Sequence, residues 1–236
     1  MNTTQMKLLG VWSGVAFCAL WGGGLLLTGW IPPMPPNLEA EAVATLVQNR
    51  SLQILLGVAF MTCFAVLYLP WTITLSEIIR PIEAPGRFLA QTQVLSGLMA
   101  QVTFFIPPYL FAAAAYRPLR NPEVTQALLD VGWLMFITGI GPFILQYTAL
   151  AIAIFADKRE VPAFPRWVGY LQVWISVSFI CALIPFFLKS GPFSWNGMFV
   201  WWVPASIFAI WFVGIIIFAR KAVLRDSCSE FGKSLS

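Results

Sequence analysis

Read from its first residue, the chain is a series of long apolar runs separated by short polar breaks. Six runs, at about 8–30, 52–76, 90–115, 127–155, 167–188 and 196–219, are each long enough to cross ~30 Å of hydrocarbon at about 1.5 Å per residue. The runs are continuously apolar rather than alternating, and an open chain in lipid must satisfy its own backbone, so each reads as a helix. The expected fold is all-α, an integral membrane bundle of six transmembrane helices whose short connections force neighbours antiparallel. In this reading residues 1–225 form one six-span domain, and 226–236 form a short, polar, disordered cytoplasmic tail.

The breaks carry structure of their own. Pro32-Pro33-Met34-Pro35-Pro36 is a stiff stretch, after which Asn37 is placed as an N-cap, with Glu39 and Glu41 near the positive end of a helix dipole and Arg50 at its other end. Leu38, Ala42, Val43, Leu46 and Val47 share a face, which predicts a short interfacial helix in the first outer loop. Glu77 and Arg80 are spaced to pair where the second span leaves the lipid. Asn121, Pro122 and Glu123 are the cap, first position and first turn of the fourth helix.

Helix breakers also lie inside the spans. Pro107-Pro108, Gly139-Ile140-Gly141-Pro142, Pro185 and Pro204 interrupt the third to sixth helices, and each proline frees the carbonyl four residues back. With alternating helix direction, Pro107, Pro185 and Pro204 fall in outer halves and the glycine-proline break near the middle, so these helices are expected to splay on the outer side. Gly10 and Gly14 form a small-xxx-small pair that suits close helix contact.

Charge sets the orientation. Lys7, Arg80, Arg87, Lys158, Arg159, Arg166, Arg220, Lys221, Arg225 and Lys233 fall on the side of the termini, whereas Arg50, Arg117, Arg120 and Lys189 fall opposite. Ten against four places both the N and C termini in the cytoplasm. Trp12, Trp71 and Trp167 are then read as anchors at inner ends, and Trp30, Trp133 and Trp195 as anchors at outer ends. The net charge of +4 is a topology signal, helped by anionic lipid headgroups at Arg220, Lys221 and Arg225, and not a nucleic-acid surface. Lys7 precedes an apolar stretch that continues to Trp30 without an A-x-A site, which predicts an uncleaved first span. The expected location is a bacterial inner membrane.

Composition narrows the chemistry. With 59% hydrophobic and 10% charged residues, the chain could not present the wetted surface of a soluble domain. Histidine is absent, which removes the usual haem, zinc, copper and non-haem iron ligands and the usual general base. The four cysteines, Cys18, Cys63, Cys181 and Cys228, have no CxxC spacing and read as small packing residues, so no cofactor and no metal are expected. Val131–Ala156, Trp167–Leu188 and Ser190–Ala219 contain no Asp, Glu, Lys or Arg, which disfavours a proton-coupled carrier, a voltage sensor and a retinal Schiff base.

Asp130 is the one acid near a span's interior, about 13 Å beyond Asn121 along the fourth helix, with Arg117 or Arg120 as its expected partner. Tyr109, Asp130, Trp133, Asn196, Trp201 and Trp202 fall in the outer half, and Gln101, Thr103, Thr138, Gln146 and Tyr147 lie deeper. Aromatic walls with a few neutral polar groups suit a lipid, sterol, terpenoid or quinone, and the ligand-binding candidates are Tyr109, Asp130, Trp133, Gln146, Asn196, Trp201 and Trp202. The competing reading is plain interhelical packing, in which glutamines and threonines act as glue.

The stretch Phe164-Pro165-Arg166-Trp167-Val168-Gly169-Tyr170, followed by Phe186-Phe187-Leu188-Lys189-Ser190-Gly191-Pro192-Phe193-Ser194-Trp195-Asn196-Gly197, resembles a group of small uncharacterised bacterial multi-pass membrane proteins. The likeness covers Phe164 to Trp211 and implies no activity. Three functions follow from the residues themselves. The first is a non-catalytic membrane protein that binds or passes a hydrophobic small molecule, or accompanies a membrane enzyme acting on one. The second is an acid-catalysed terpenoid cyclase or isomerase with Asp130 as proton donor and indoles stabilising a carbocation. The third is a structural subunit of a larger membrane complex. The expected partners are membrane lipids, a hydrophobic ligand, and a membrane protein or a second copy of the chain.

Overall fold

The computed structural model describes residues 3–117 and 119–234. It is 81% helix, and no strand occurs among the described residues. In chain order the helices are α1 (Thr3–Leu27), α2 (Ala40–Asn49), α3 (Ser51–Phe64), α4 (Tyr68–Ile79), α5 (Phe88–Tyr116), α6 (Pro122–Thr138), α7 (Gly141–Ala156), α8 (Arg166–Ile180) and α9 (Val203–Ser234). Four irregular turns extend them: 3-10 turns at Ala65–Leu67, Arg80–Glu83 and Cys181–Phe186, and a π-helical turn at Met198–Trp202.

Together these make six helices long and apolar enough to span a membrane: Thr3–Leu27, Ser51–Glu83, Phe88–Tyr116, Pro122–Ala156, Arg166–Phe186 and Met198–Arg225. The chain is therefore a multi-pass membrane protein. Each span overlies the apolar run that predicts it. The tail differs, because the α9 backbone stays helical to Ser234, with no glycine or proline between Gly214 and Gly232.

Several local expectations hold. Asn121 Oδ1 accepts the Glu123 N–H at 2.8 Å, with Pro122 in the first position of α6. The fourth span breaks between Thr138 and Gly141, and Arg80 pairs with Glu77 at 3.1 Å. Gly10 lies against the Pro70 carbonyl of α4, and Gly14 lies against the Trp71 ring, so the small pair packs inside the bundle.

Others are corrected. Asn37 is not the cap of α2, which starts at Ala40 with Glu39 in the capping position and no side-chain cap bond. The inward face of α2 is Val43, Ala44 and Val47, while Ala42 and Leu46 are exposed. The neighbour decides this, since α2 lies beside α6 and Gln126 Nε2 donates to the Leu38 carbonyl at 2.9 Å.

The third span is not interrupted at Pro107-Pro108, because α5 runs through both prolines. Proline at 108 leaves the Phe104 carbonyl without its helical donor, and the Trp21 indole N–H of α1 supplies one at 3.0 Å. Pro204 does not break the sixth span, which runs Met198–Arg225 as one helix, and it directly follows the π-helical turn Met198–Trp202.

The expected tryptophan belts also change. Trp12 and Trp167 are exposed, but Trp71 and Trp133 are fully buried, and Trp30 and Trp195 nearly so. Trp30, Phe111 and Trp133 pack with ring centroids 4.8–5.6 Å apart, and Trp195 Nε1 donates to the Met34 carbonyl at 2.7 Å. These indoles pack within the bundle instead of facing outward as anchors.

Of the cysteines, Cys18 and Cys63 are exposed and Cys181 is half-buried, so the first two are not packing residues. The side chain of Cys228 lies outside the described residues.

One end of the molecule is tied by a charged turn. The Asp157 side chain is 1% exposed, and its carboxylate accepts from Arg159 Nε and Nη2 at 2.8 and 2.7 Å and from the Ala163 N–H at 2.8 Å. Burial alone would raise the Asp157 carboxyl, but the Arg159 guanidinium and the Ala163 and Arg159 N–H groups hold it below the ordinary carboxylate range. Arg225 at the end of the sixth span donates to the Pro162 carbonyl at 3.1 Å. Glu83 caps α5 by accepting the Leu89 and Ala90 N–H groups at 2.8 and 2.7 Å.

Candidate ligand cavity

Where α1 faces the start of α9, the bundle wall opens into a cavity of about 590 Å³. The α1 wall is unusual for its glycines. A Cβ added at Gly22 or Gly23 would meet nothing within 4 Å. One added at Gly24 would lie 2.7 Å from the Gly57 carbonyl of α3. A glycine inside a helix costs ~1 kcal/mol relative to alanine, and close helix contact accounts for Gly24 alone. Gly22 and Gly23 instead leave a bare strip of helix on the cavity side.

The opposite wall is the π-helical turn Met198–Trp202 and the first turns of α9, which contribute Val200, Trp201, Trp202, Pro204 and Phe208. A π turn widens the helix by a residue, and such turns recur at functional sites. The floor is aromatic and aliphatic: Phe104 of α5, Phe136 and Ile137 of α6, Phe143 of α7 and Phe179 of α8. Trp21 stacks on Phe136 at 5.6 Å and meets Phe104 edge-on at 5.1 Å, so the indole that completes the α5 backbone is also a cavity wall.

Leu26, Trp202 and Ala205 line the cavity and are also exposed, so it opens sideways onto the apolar flank of the bundle. No charged residue lines it. The polar side-chain groups of the lining residues are the Cys18 thiol, the indole N–H groups of Trp21, Trp201 and Trp202, and the Thr103 hydroxyl, whose bond to the Gly139 carbonyl is long at 3.4 Å.

The structure separates the sequence candidates. Trp201 and Trp202 line the cavity. Trp133 lies behind it, packed on Trp201 at 6.3 Å, with its Nε1 buried and unpartnered. Tyr109 is half-exposed against Phe105, and Asn196 accepts from the Ser194 hydroxyl at 2.7 Å in the turn before α9.

Gln146 belongs to a buried polar network between α4, α5 and α7. The Tyr68 hydroxyl donates to Gln146 Oε1 at 2.8 Å, and Gln146 Nε2 and Gln93 Nε2 donate to Thr72 Oγ1 at 2.8 and 3.0 Å. Gly97 leaves the room, since a Cβ there would meet Gln146 Nε2 at 2.6 Å. Asp130 is half-buried and does not line the cavity, and no salt bridge joins it to Arg117 or Arg120 among the described residues.

Sequence reasoning missed Trp21, Gly22, Gly23, Phe104, Phe136 and Phe143. The legible signal was Gly22-Gly23-Gly24, three helix-weakening residues in the middle of an apolar span. No protein-family model, curated protein or solved structure matches the chain. Among the described residues no cluster of histidine, cysteine or carboxylate side chains could hold a metal ion.

Proposed function

We propose that this membrane protein binds or passes an uncharged hydrophobic small molecule in the cavity between α1 and α9, alone or beside a membrane enzyme acting on that molecule. The observation that carries the reading is the pair Gly22 and Gly23, helix positions whose missing side chains face open space within an aromatic wall. A volume of about 590 Å³ is that of a ligand site rather than a packing defect, and pockets of ~300–1,000 Å³ hold small molecules. Asp130 lies outside the cavity lining, so the arrangement favours binding over acid-catalysed cyclisation. A stable membrane partner or a second copy of the chain is compatible with this reading and is not required by it.

The placement in the membrane belongs to the same proposal. The ten-to-four asymmetry of basic residues supports cytoplasmic termini, which sets α2 on the outer face as an interfacial cap and the cavity in the outer half. A bacterial inner membrane fits this orientation.

Native mass spectrometry after mild extraction tests the binding reading. The wild type should retain an apolar adduct that Gly23→Leu, folded to the same elution volume and melting temperature, has lost. Absence of any adduct from the wild type, or its retention by the variant, would overturn the proposal.

A further inference from the structure

We infer that the cavity selects a single-chain or fused-ring isoprenoid with one neutral polar tip, an isoprenoid alcohol or ketone of about twenty heavy atoms, which enters sideways from the bilayer. The inference rests on the reading of the cavity as a ligand site and adds the ligand's class. Three observations lead to it. The first is size: at ~30 Å³ per heavy atom in a liquid, about 590 Å³ holds roughly twenty such atoms. That is one chain or a compact ring system, and a two-chain phospholipid is excluded from lying wholly within.

The second is charge. No lining residue is ionised, so a phosphate or carboxylate carried into the cavity would be desolvated without a partner. Thr103 is the lining hydroxyl, and its bond to the Gly139 carbonyl is long enough, at 3.4 Å, for a ligand hydroxyl or carbonyl to replace it. A single neutral polar tip is what such a sparse polar lining can satisfy.

The third is the wall. Trp21, Phe104, Phe136, Phe143, Phe179 and Trp201 present ring faces and edges to the space. Fused rings, and chains whose regularly spaced double bonds remove torsions, meet such faces with fewer torsions to freeze than a saturated chain of similar size. The mouth formed by Leu26, Trp202 and Ala205 lies on the apolar flank, so the route of entry is the lipid.

The test uses the full-length protein in nanodiscs and a photoreactive diazirine analogue of geranylgeraniol, with the crosslinked peptide read by mass spectrometry. Labelling should map to 18–26 or 200–209 and disappear in Gly23→Leu and in Ala205→Leu. The second variant at the mouth keeps the test decisive if the first fails to fold. Geranylgeraniol should displace the probe at a concentration about tenfold below eicosanol, because the smaller number of free torsions separates two ligands of equal size. Geranylgeranyl phosphate should not compete. In Thr103→Val the advantage of geranylgeraniol over its hydrocarbon analogue should vanish, while labelling itself persists. Equal competition by eicosanol would overturn the isoprenoid class and leave the cavity as a site for any single chain. Labelling that maps elsewhere, or that survives both cavity-filling variants, would overturn the cavity reading and this inference with it.

Discussion

Trp21 performs two tasks with one side chain. Its ring is a cavity wall, and its N–H satisfies the carbonyl that Pro108 leaves without a donor. Trp21→Phe keeps most of the ring and removes the donor, which should cost about 1–3 kcal/mol through the buried carbonyl left unpaired. Pro108→Ala restores the helical N–H to the Phe104 carbonyl. The cost of Trp21→Phe measured as a shift in melting temperature should therefore shrink in the Pro108→Ala background. Additive losses in the double mutant would show that the indole does not act through that carbonyl. The pairing explains why two consecutive prolines, which the sequence marks as a break, sit inside an unbroken α5. Nothing local to α5 announces the rescue, because the donor lies 83 residues away in another span.

At the scale of elements, α1 shows how one run of like residues is divided by its neighbours. Gly24 is where α1 crosses α3, and Gly57 answers it, since a Cβ at Gly57 would meet the Gly24 carbonyl of α1. A Cβ at Gly22 or Gly23 would touch nothing. Gly24→Ala should therefore destabilise the bundle, while Gly22→Ala should be neutral or stabilise it by up to ~1 kcal/mol through helix propensity. Thermal unfolding in detergent separates the two, and equal effects would sink the division. The turn between α7 and α8 depends instead on ionisation. Because the folded Asp157 carboxyl lies below its ordinary value of 3.8, its contribution is fully present above that pH and lost as pH falls through the lower folded value. Asp157→Asn should lower the melting temperature at neutral pH and flatten the acid limb of the stability profile. An acid limb unchanged by the substitution would contradict the role given to Asp157.

For the whole molecule, helices pack closely where Gly10, Gly14, Gly24, Gly57 and Gly97 let neighbours approach, and they part where α1 faces the π turn before α9. The orientation proposed for this bundle has a direct check. A fluorescent protein fused to the C-terminus should fold and fluoresce in the cytoplasm, and an alkaline phosphatase fusion at the same place should be inactive. The reverse pattern would turn the bundle over and move the cavity to the inner half, without altering its lining.

The number of spans, their extents and the alternation between them are written in the chain itself. Twenty consecutive apolar residues in lipid have one way to satisfy their backbone, and no distant residue can change that. The capping of α6 by Asn121 and the Glu77–Arg80 pair are equally local. Which of eleven tryptophans face lipid, where α2 turns its apolar side, and which aromatics enclose a space were decided only when the spans came together. In a helix that is apolar all round, no periodic contrast distinguishes the face that meets a neighbour from the face that meets lipid or a cavity. That is why Trp201 and Trp202 could be singled out from the sequence, while Trp21, Phe104 and the open side of Gly22 and Gly23 could not.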